Sequence, residues 1–139
     1  MKSSVYQCSI VELPKIHNRA GNITAIENQL HAPFDIKRVY YLYDVPGGED
    51  RGGHGHRTLQ QFIVAVSGAF DVKLDDGVNK KIVHLDRPYM GLHVIPGIWR
   101  ELLNFSSGAI CLVLASDLYT NADYIRDKDE FIKFKTEAQ

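Results

Sequence analysis

Gly48-Glu49-Asp50-Arg51-Gly52-Gly53-His54-Gly55-His56-Arg57-Thr58-Leu59-Gln60-Gln61-Phe62-Ile63-Val64-Ala65-Val66-Ser67-Gly68 decides how the chain is read. His54 and His56 are two apart, and in an extended strand such residues point to the same face. Both imidazoles therefore look into one cavity. Gln61 follows five residues later and opens an apolar run that reads as a buried strand closed by Gly68. A second stretch, Pro96-Gly97-Ile98-Trp99-Arg100-Glu101-Leu102-Leu103-Asn104, carries an indole, a guanidinium and a turn asparagine.

Working outward, strand signals dominate. Alternating or β-branched runs occupy Ser9–Leu13, Asn22–Glu27, Asp35–Tyr43, Gln60–Val66, Phe70–Leu74, Lys81–Leu85, 91–96 and Ala109–Ala115. Asp75-Asp76-Gly77 reads as a hairpin turn. Only the C-terminal end reads as helical, over Asn121–Ile125 and Asp127–Phe134, where apolar groups fall three and four apart. Many short strands with frequent turn signals predict an all-β sandwich or barrel, with a short C-terminal helical segment.

With 139 residues, the chain is expected to form one domain over 1–139. A formal net charge of −1 provides no basic field, so nucleic acid is not expected as a partner. No run approaches a membrane span, and the N-terminus lacks the apolar centre of a signal peptide, so a cytoplasmic setting is expected. Cys8 and Cys111 make no disulfide framework, and Cys111 lies in a buried-strand sequence as a small hydrophobe.

His54 and His56 suit a metal, but the neighbouring positions do not. Gln61 offers only a neutral amide oxygen, and Arg100 is a permanent cation with no lone pair. Without a metal, paired histidines serve as general base and acid, because imidazole titrates near neutrality. Arg51, Arg100 and Arg38 supply positive charge for an anionic ligand or a developing oxyanion. Trp99 and the tyrosines at 40, 41 and 43 offer flat surfaces for a sugar ring or base. His84 reads as an outward-facing hairpin residue and His93 as a satisfied core histidine. His17 and His31 read as loop residues.

The spacing G-x5-H-x-H-x4-E-x6-G resembles the first motif of the cupin β-barrels, with Gln61 in place of Glu, and Pro96–Asn104 resembles their second motif with Arg100 in place of His. More specifically, Asp35–Tyr41, Arg51–His56, Leu74–Gly77, Asn104–Gly108, Leu112–Asp117 and Asp123–Arg126 resemble the sugar 3,4-ketoisomerases, over roughly residues 9 to 134. These cupin enzymes act on deoxythymidine-diphosphate-4-keto-6-deoxyglucose. The resemblance implies a cupin double-stranded β-helix, or jelly roll. It implies a homodimer that exchanges its N-terminal strands, about residues 5–27, and a role in making deoxyaminosugars for surface glycans. It implies no cofactor and no metal. His54 and His56 match the family's catalytic pair, while Arg51, Tyr40, Gln61 and Trp99 match positions that line its active site. Arg100 is expected to tune binding, since some members have His there. Arg19 is a further candidate for substrate binding, although it departs from the family pattern because Ala20 separates it from Gly21.

The implied reaction fits these residues. Moving a carbonyl from C4 to C3 takes a proton from C3, passes through an enediolate and returns a proton to C4. A neutral imidazole can take the proton, and the Tyr40 hydroxyl can move one between the two oxygens. Two readings compete with it: a 3,5-epimerase of the same nucleotide-sugar class, and a non-catalytic nucleotide-sugar-binding cupin. The epimerase class places a carboxylate behind its basic histidine, and no Asp or Glu stands at an obvious spacing for that.

Overall fold

The computed structural model describes residues 2–137. Its strands are β1 (Ser9–Glu12), β2 (Ile16–Asn18), β3 (Gly21–Ile23), β4 (Arg38–Leu42), β5 (Arg51–His56), β6 (Gln61–Ser67), β7 (Phe70–Asp75), β8 (Lys80–Leu85), β9 (Met90–Val94), β10 (Trp99–Leu103), β11 (Ile110–Ala115) and β12 (Tyr124–Ile125). One α-helix, α1 (Lys128–Glu137), follows. Two five-stranded antiparallel sheets face each other, ordered β1-β9-β6-β11-β4 and β12-β5-β10-β7-β8. The pair β2-β3 forms a separate small sheet. This is the expected all-β jelly roll.

The apolar run of β6 lies between two layers. Ile63 and Ala65 face the space between the sheets, with Phe70, Val72, Leu74, Leu92, Leu102 and Val113. Phe62 and Val64 face the opposite way, under a cover that includes Leu13, Ile26, Phe34 and Tyr89. A strand buried on both faces is continuously apolar, which explains the unbroken Phe-Ile-Val-Ala sequence of residues 62–65; Val66 at the end of the strand is exposed.

In β5 the alternation sorts histidines from glycines. His54 and His56 point inward, and Gly53 and Gly55 present the bare outer face. A Cβ on Gly53 would lie 2.4 Å from Trp99 Nε1, and one on Gly55 would lie 3.0 Å from Phe131 of α1. The Gly-His-Gly-His sequence thus lets an indole and a helix pack directly on the strand's back. There Trp99, Ile125 and Phe131 form a third small cluster, with Phe134 beside it. The first turn of α1 is capped by Asp127, whose carboxylate accepts from Glu130 N at 3.2 Å.

Several segments depart from the sequence expectations. Asn121–Ile125 is helical only in part: Asn121–Asp123 is one turn of 3-10 helix, and Tyr124–Ile125 is a strand that pairs with β5. The three-four spacing there comes from a turn followed by a strand, so it does not mark a continuous helix. The Asn22–Glu27 strand shortens to Gly21–Ile23, and His17 lies in β2, not in a loop. His93 faces the outer cover, where its Nε2 meets Gln60 Oε1 at 2.8 Å and its ring tilts against Phe34. Within the chain, β1 pairs with β9 from Ser9↔His93 to Glu12↔Met90.

Candidate active site

Register brings the polar residues together. Arg100 lies opposite His54, and Tyr124 lies opposite His56. On the facing sheet, Val113 of β11 pairs with Tyr40, and Ala115 pairs with Gln61. Cross-strand partners share a face, so all of these side chains project into the same end of the barrel. Some of them line a cavity of about 480 Å³ whose wall includes Arg38, Tyr40, Arg51, His54, Arg100 and Tyr124, while His56 and Gln61 are not part of that wall.

Three of these groups form a closed hydrogen-bonded unit. Arg100 Nε donates to Gln61 Oε1 at 2.8 Å, Arg100 Nη2 donates to the Tyr40 hydroxyl at 3.1 Å, and Gln61 Nε2 donates to the same hydroxyl at 2.9 Å. Arg100 is only 3% exposed and Gln61 only 1%. A buried guanidinium needs such partners to offset its desolvation. The Tyr40 oxygen accepts twice, which leaves its own proton available to donate. Burial raises the Tyr40 pKa, with the Arg100 charge pulling against it, so the phenol stays protonated. The Gln61 carbonyl is occupied by Arg100. Among the described residues, no three His, Cys, Asp or Glu side chains are grouped to hold a metal ion.

The histidine rings meet edge to face, with centroids 4.8 Å apart. Tyr124 lies against both, at 5.1 Å from His54 and 4.4 Å from His56. Burial, then the charges of Arg100, His56 and Arg126, push the His54 pKa down to about 2. Burial and Arg100 push His56 down to about 4, against the support of Asp123. Both imidazoles are neutral at physiological pH, and each has a buried Nε2 without a hydrogen-bond partner among the described residues. Arg38 completes the wall, its guanidinium 5.1 Å from the Tyr40 ring and 5.5 Å from the Tyr119 ring.

Two of the expected site residues are not brought here. Trp99 precedes Arg100 on β10, and adjacent strand residues face opposite ways. With Arg100 inside, Trp99 is outside, packed 5.7 Å from the Phe131 ring. Arg19 is exposed in the turn between β2 and β3 and does not line the cavity. The site also contains groups that sequence reasoning missed. Asp123 Oδ2 lies 3.0 Å from His56 Nδ1, so a carboxylate does stand behind a histidine, contrary to the expectation that none would. Tyr124 and Arg126 belong to the same neighbourhood, with Arg126 stacked 4.4 Å from the Tyr124 ring. The Asp123–Arg126 segment had a place in the family resemblance, but reading it as helix hid its alignment with the histidine strand.

The FdtA family model, described as WxcM-like, C-terminal, matches residues 6–136. The chain is 44% identical over 125 residues to the TDP-4-oxo-6-deoxy-alpha-D-glucose-3,4-oxoisomerase of Aneurinibacillus thermoaerophilus, covering 90% of each. Its structure is similar to that of the WlaRB TDP-quinovose 3,4-ketoisomerase from Campylobacter jejuni, with a TM-score of 0.88 and 44% identity, covering 93% of this chain and 99% of that one. It is also similar to QdtA, a sugar 3,4-ketoisomerase from Thermoanaerobacterium thermosaccharolyticum in complex with TDP, with a TM-score of 0.93 and 36% identity over 97% of this chain and 98% of that one. A His-to-Asn variant of QdtA was solved with TDP-4-keto-6-deoxyglucose, at a TM-score of 0.92 and 35% identity over 96% and 97% of the two chains.

Proposed function

Because the chain belongs to the FdtA, or WxcM-like, family of sugar-nucleotide 3,4-ketoisomerases, we propose that it moves the keto group of dTDP-4-keto-6-deoxy-D-glucose from C4 to C3 by general acid/base catalysis. One observation carries the reading: a neutral imidazole, His54, lines a cavity whose charged wall residues are all arginine, with the second imidazole, His56, packed edge to face against it. Each has a free Nε2. An imidazole takes the C3 proton, and the electron pair passes through an enediolate that Arg100 and the Tyr40 hydroxyl stabilise. A proton returned to C4, together with the O3 hydroxyl proton passed to O4 by way of the Tyr40 hydroxyl, completes the shift, so no net redox partner is needed. Arg38 and Arg51 suit the diphosphate of the substrate. Burial is the larger cause of the low histidine pKa values, and binding that dianion offsets the smaller part that comes from the arginine charges.

In this reading the reaction needs no metal or other cofactor, and the product feeds deoxyaminosugar biosynthesis for surface polysaccharide in the cytoplasm. No helix of the described residues is long and apolar enough to cross a membrane. The working unit is a homodimer. The outer face of β4 exposes Val39 and Tyr41, with Tyr43 just beyond, and the β2-β3 hairpin exposes Ile16 and Ile23. A second copy carrying its N-terminal strands across would cover both. Since β1 has an edge partner in β9 of its own chain, the β2-β3 hairpin, with Arg19 at its turn, is the portion best suited to reach the other subunit.

Asp123 behind His56 favours one further reading, a 3,5-epimerase, because that class uses a carboxylate-backed histidine. Incubation with the 4-keto nucleotide sugar in deuterated water separates the two. Deuterium at C4 of a 3-keto product supports the isomerase. A 3-keto product without deuterium also supports the isomerase, by internal return of the proton. Deuterium at C3 and C5 of an unshifted 4-keto sugar supports the epimerase, and neither product nor exchange reduces the protein to a binding module.

A further inference from the structure

The two histidines look equivalent in sequence, yet their hydrogen bonding differs. His56 Nδ1 lies 3.0 Å from Asp123 Oδ2, while neither ring nitrogen of His54 has a hydrogen-bond partner among the described residues. Asp123 is itself held from several sides. Its Oδ1 accepts from Thr58 N at 2.8 Å and from Thr58 Oγ1 at 2.9 Å, and its Oδ2 accepts from Leu59 N at 3.3 Å. Burial alone would raise its carboxyl pKa, but the Thr58 and His56 hydrogen bonds outweigh burial and hold it below the ordinary value.

An ionised carboxylate only accepts hydrogen bonds, so the proton of neutral His56 must be on Nδ1. Its Nε2 is then an unprotonated lone pair, buried and unpartnered. The ring also packs against Tyr124, with centroids 4.4 Å apart and planes at 68°. His54 has no such constraint and is free to adopt either tautomer.

We propose that Asp123 is a positioning residue that locks His56 as the Nδ1–H tautomer, so that His56 enters the reaction as a proton acceptor at Nε2 while His54 keeps both tautomers. This deepens the isomerase reading and rests on it for its kinetic part. The balance is simple. Nε2 takes a proton from the bound sugar, whose electrons remain in the enediolate. The imidazolium stands beside the Asp123 carboxylate, which never takes the proton, and Nε2 then returns it at C4 while the O3 hydroxyl proton passes to O4 by way of the Tyr40 hydroxyl. A second function of Asp123, pinning the Thr58–Leu59 turn, would not by itself require any tautomer.

Nitrogen-15 NMR of the labelled wild-type protein reads the tautomer directly, with the His56 signals identified by their loss in His56→Asn. The expected spectrum has a protonated Nδ1 and a pyridine-like Nε2 for His56. A protonated Nε2 overturns the proposal, whatever the activity. Asp123→Asn keeps an oxygen for Thr58 but turns an amide N–H toward Nδ1, which should reverse the tautomer. Its kcat should fall roughly 10²-fold or more, with KM changed by less than about threefold, as for other misoriented histidines. Turnover retained within about threefold also overturns the proposal. If that variant does not fold, the wild-type spectrum decides alone. The spectrum needs no substrate, so failure of the isomerase reading in the deuterium experiment is separate from failure of the tautomer assignment.

Discussion

The two ends of this barrel are built from the same strands in opposite chemistry. At one end the inward residues of β6 and β7 are Ile63, Ala65, Phe70 and Val72, and Phe70 stacks on Phe105 with centroids 5.0 Å apart. At the other end the inward positions are Tyr40, His54, His56, Gln61 and Arg100. Along β10 the change takes two residues, from Arg100 to Leu102, and along β6 it takes two, from Gln61 to Ile63. The apolar end gains from burial roughly in proportion to area. The polar end gains nothing of that kind: it buries a guanidinium and leaves three side-chain nitrogens, those of Arg38 Nε and both histidine Nε2 atoms, without partners. The difference teaches that one end is arranged for stability and the other keeps uncompensated groups ready for a ligand.

This contrast can be broken from either side, and the largest effect is expected at the apolar end. Phe70→Ala should cost about 3–5 kcal/mol of stability by chemical denaturation, while turnover per folded molecule stays near wild type. A comparable loss of turnover per folded molecule would show that the two ends are not independent. At the polar end, His54→Asn and His56→Asn should each lower kcat roughly 10²-fold or more, with no fall in melting temperature at pH 7. If these variants instead melt early yet turn over normally, the histidines are packing groups.

A smaller effect sharpens the electrostatic half of the comparison. Folding lowers the histidine pKa values from 6.5 to about 4 for His56 and about 2 for His54. Between pH 6.5 and 4 the unfolded chain therefore binds protons that the folded chain refuses, so stability rises with pH across that window and falls on acidification. Asp123, with its lowered pKa, adds to the loss at still lower pH. Thermal melts should show this slope, and His56→Asn should flatten it. A wild-type profile that is level from pH 7 to pH 4 would contradict the desolvated, neutral state of the pair. The smallest expected effect is none at all: dialysis against a strong chelator should leave turnover unchanged, and activity restored by one divalent ion would overturn the metal-free reading.

The legible parts of the molecule were those with a local pattern. The shared face of His54 and His56 follows from alternation, the buried run of β6 from its unbroken apolar sequence, and the hairpin at Asp75–Gly77 from its turn residues. Alternation also separates Trp99 from Arg100, since two adjacent residues cannot both face the cavity from one strand. What stayed hidden depends on distant pairing. Asp123 meets His56 across 67 residues of sequence, through a strand of only two residues, and no local pattern distinguishes that from a frayed helix. The weak basicity of the histidines was equally invisible, because it comes from burial beside Arg100 and not from the H-x-H spacing.

The bare outer face of β5 has a mechanical consequence. A strand that carries His54 and His56 on one side and only Gly53 and Gly55 on the other has no side chains of its own to brace it from behind. Trp99 and Phe131 act as the backing plate, and Phe131 arrives on the last helix of the chain. Fluctuations of that helix should therefore be felt as slack in the histidine strand, so that loosening α1 and increased hydrogen exchange at the β5 amides become one event.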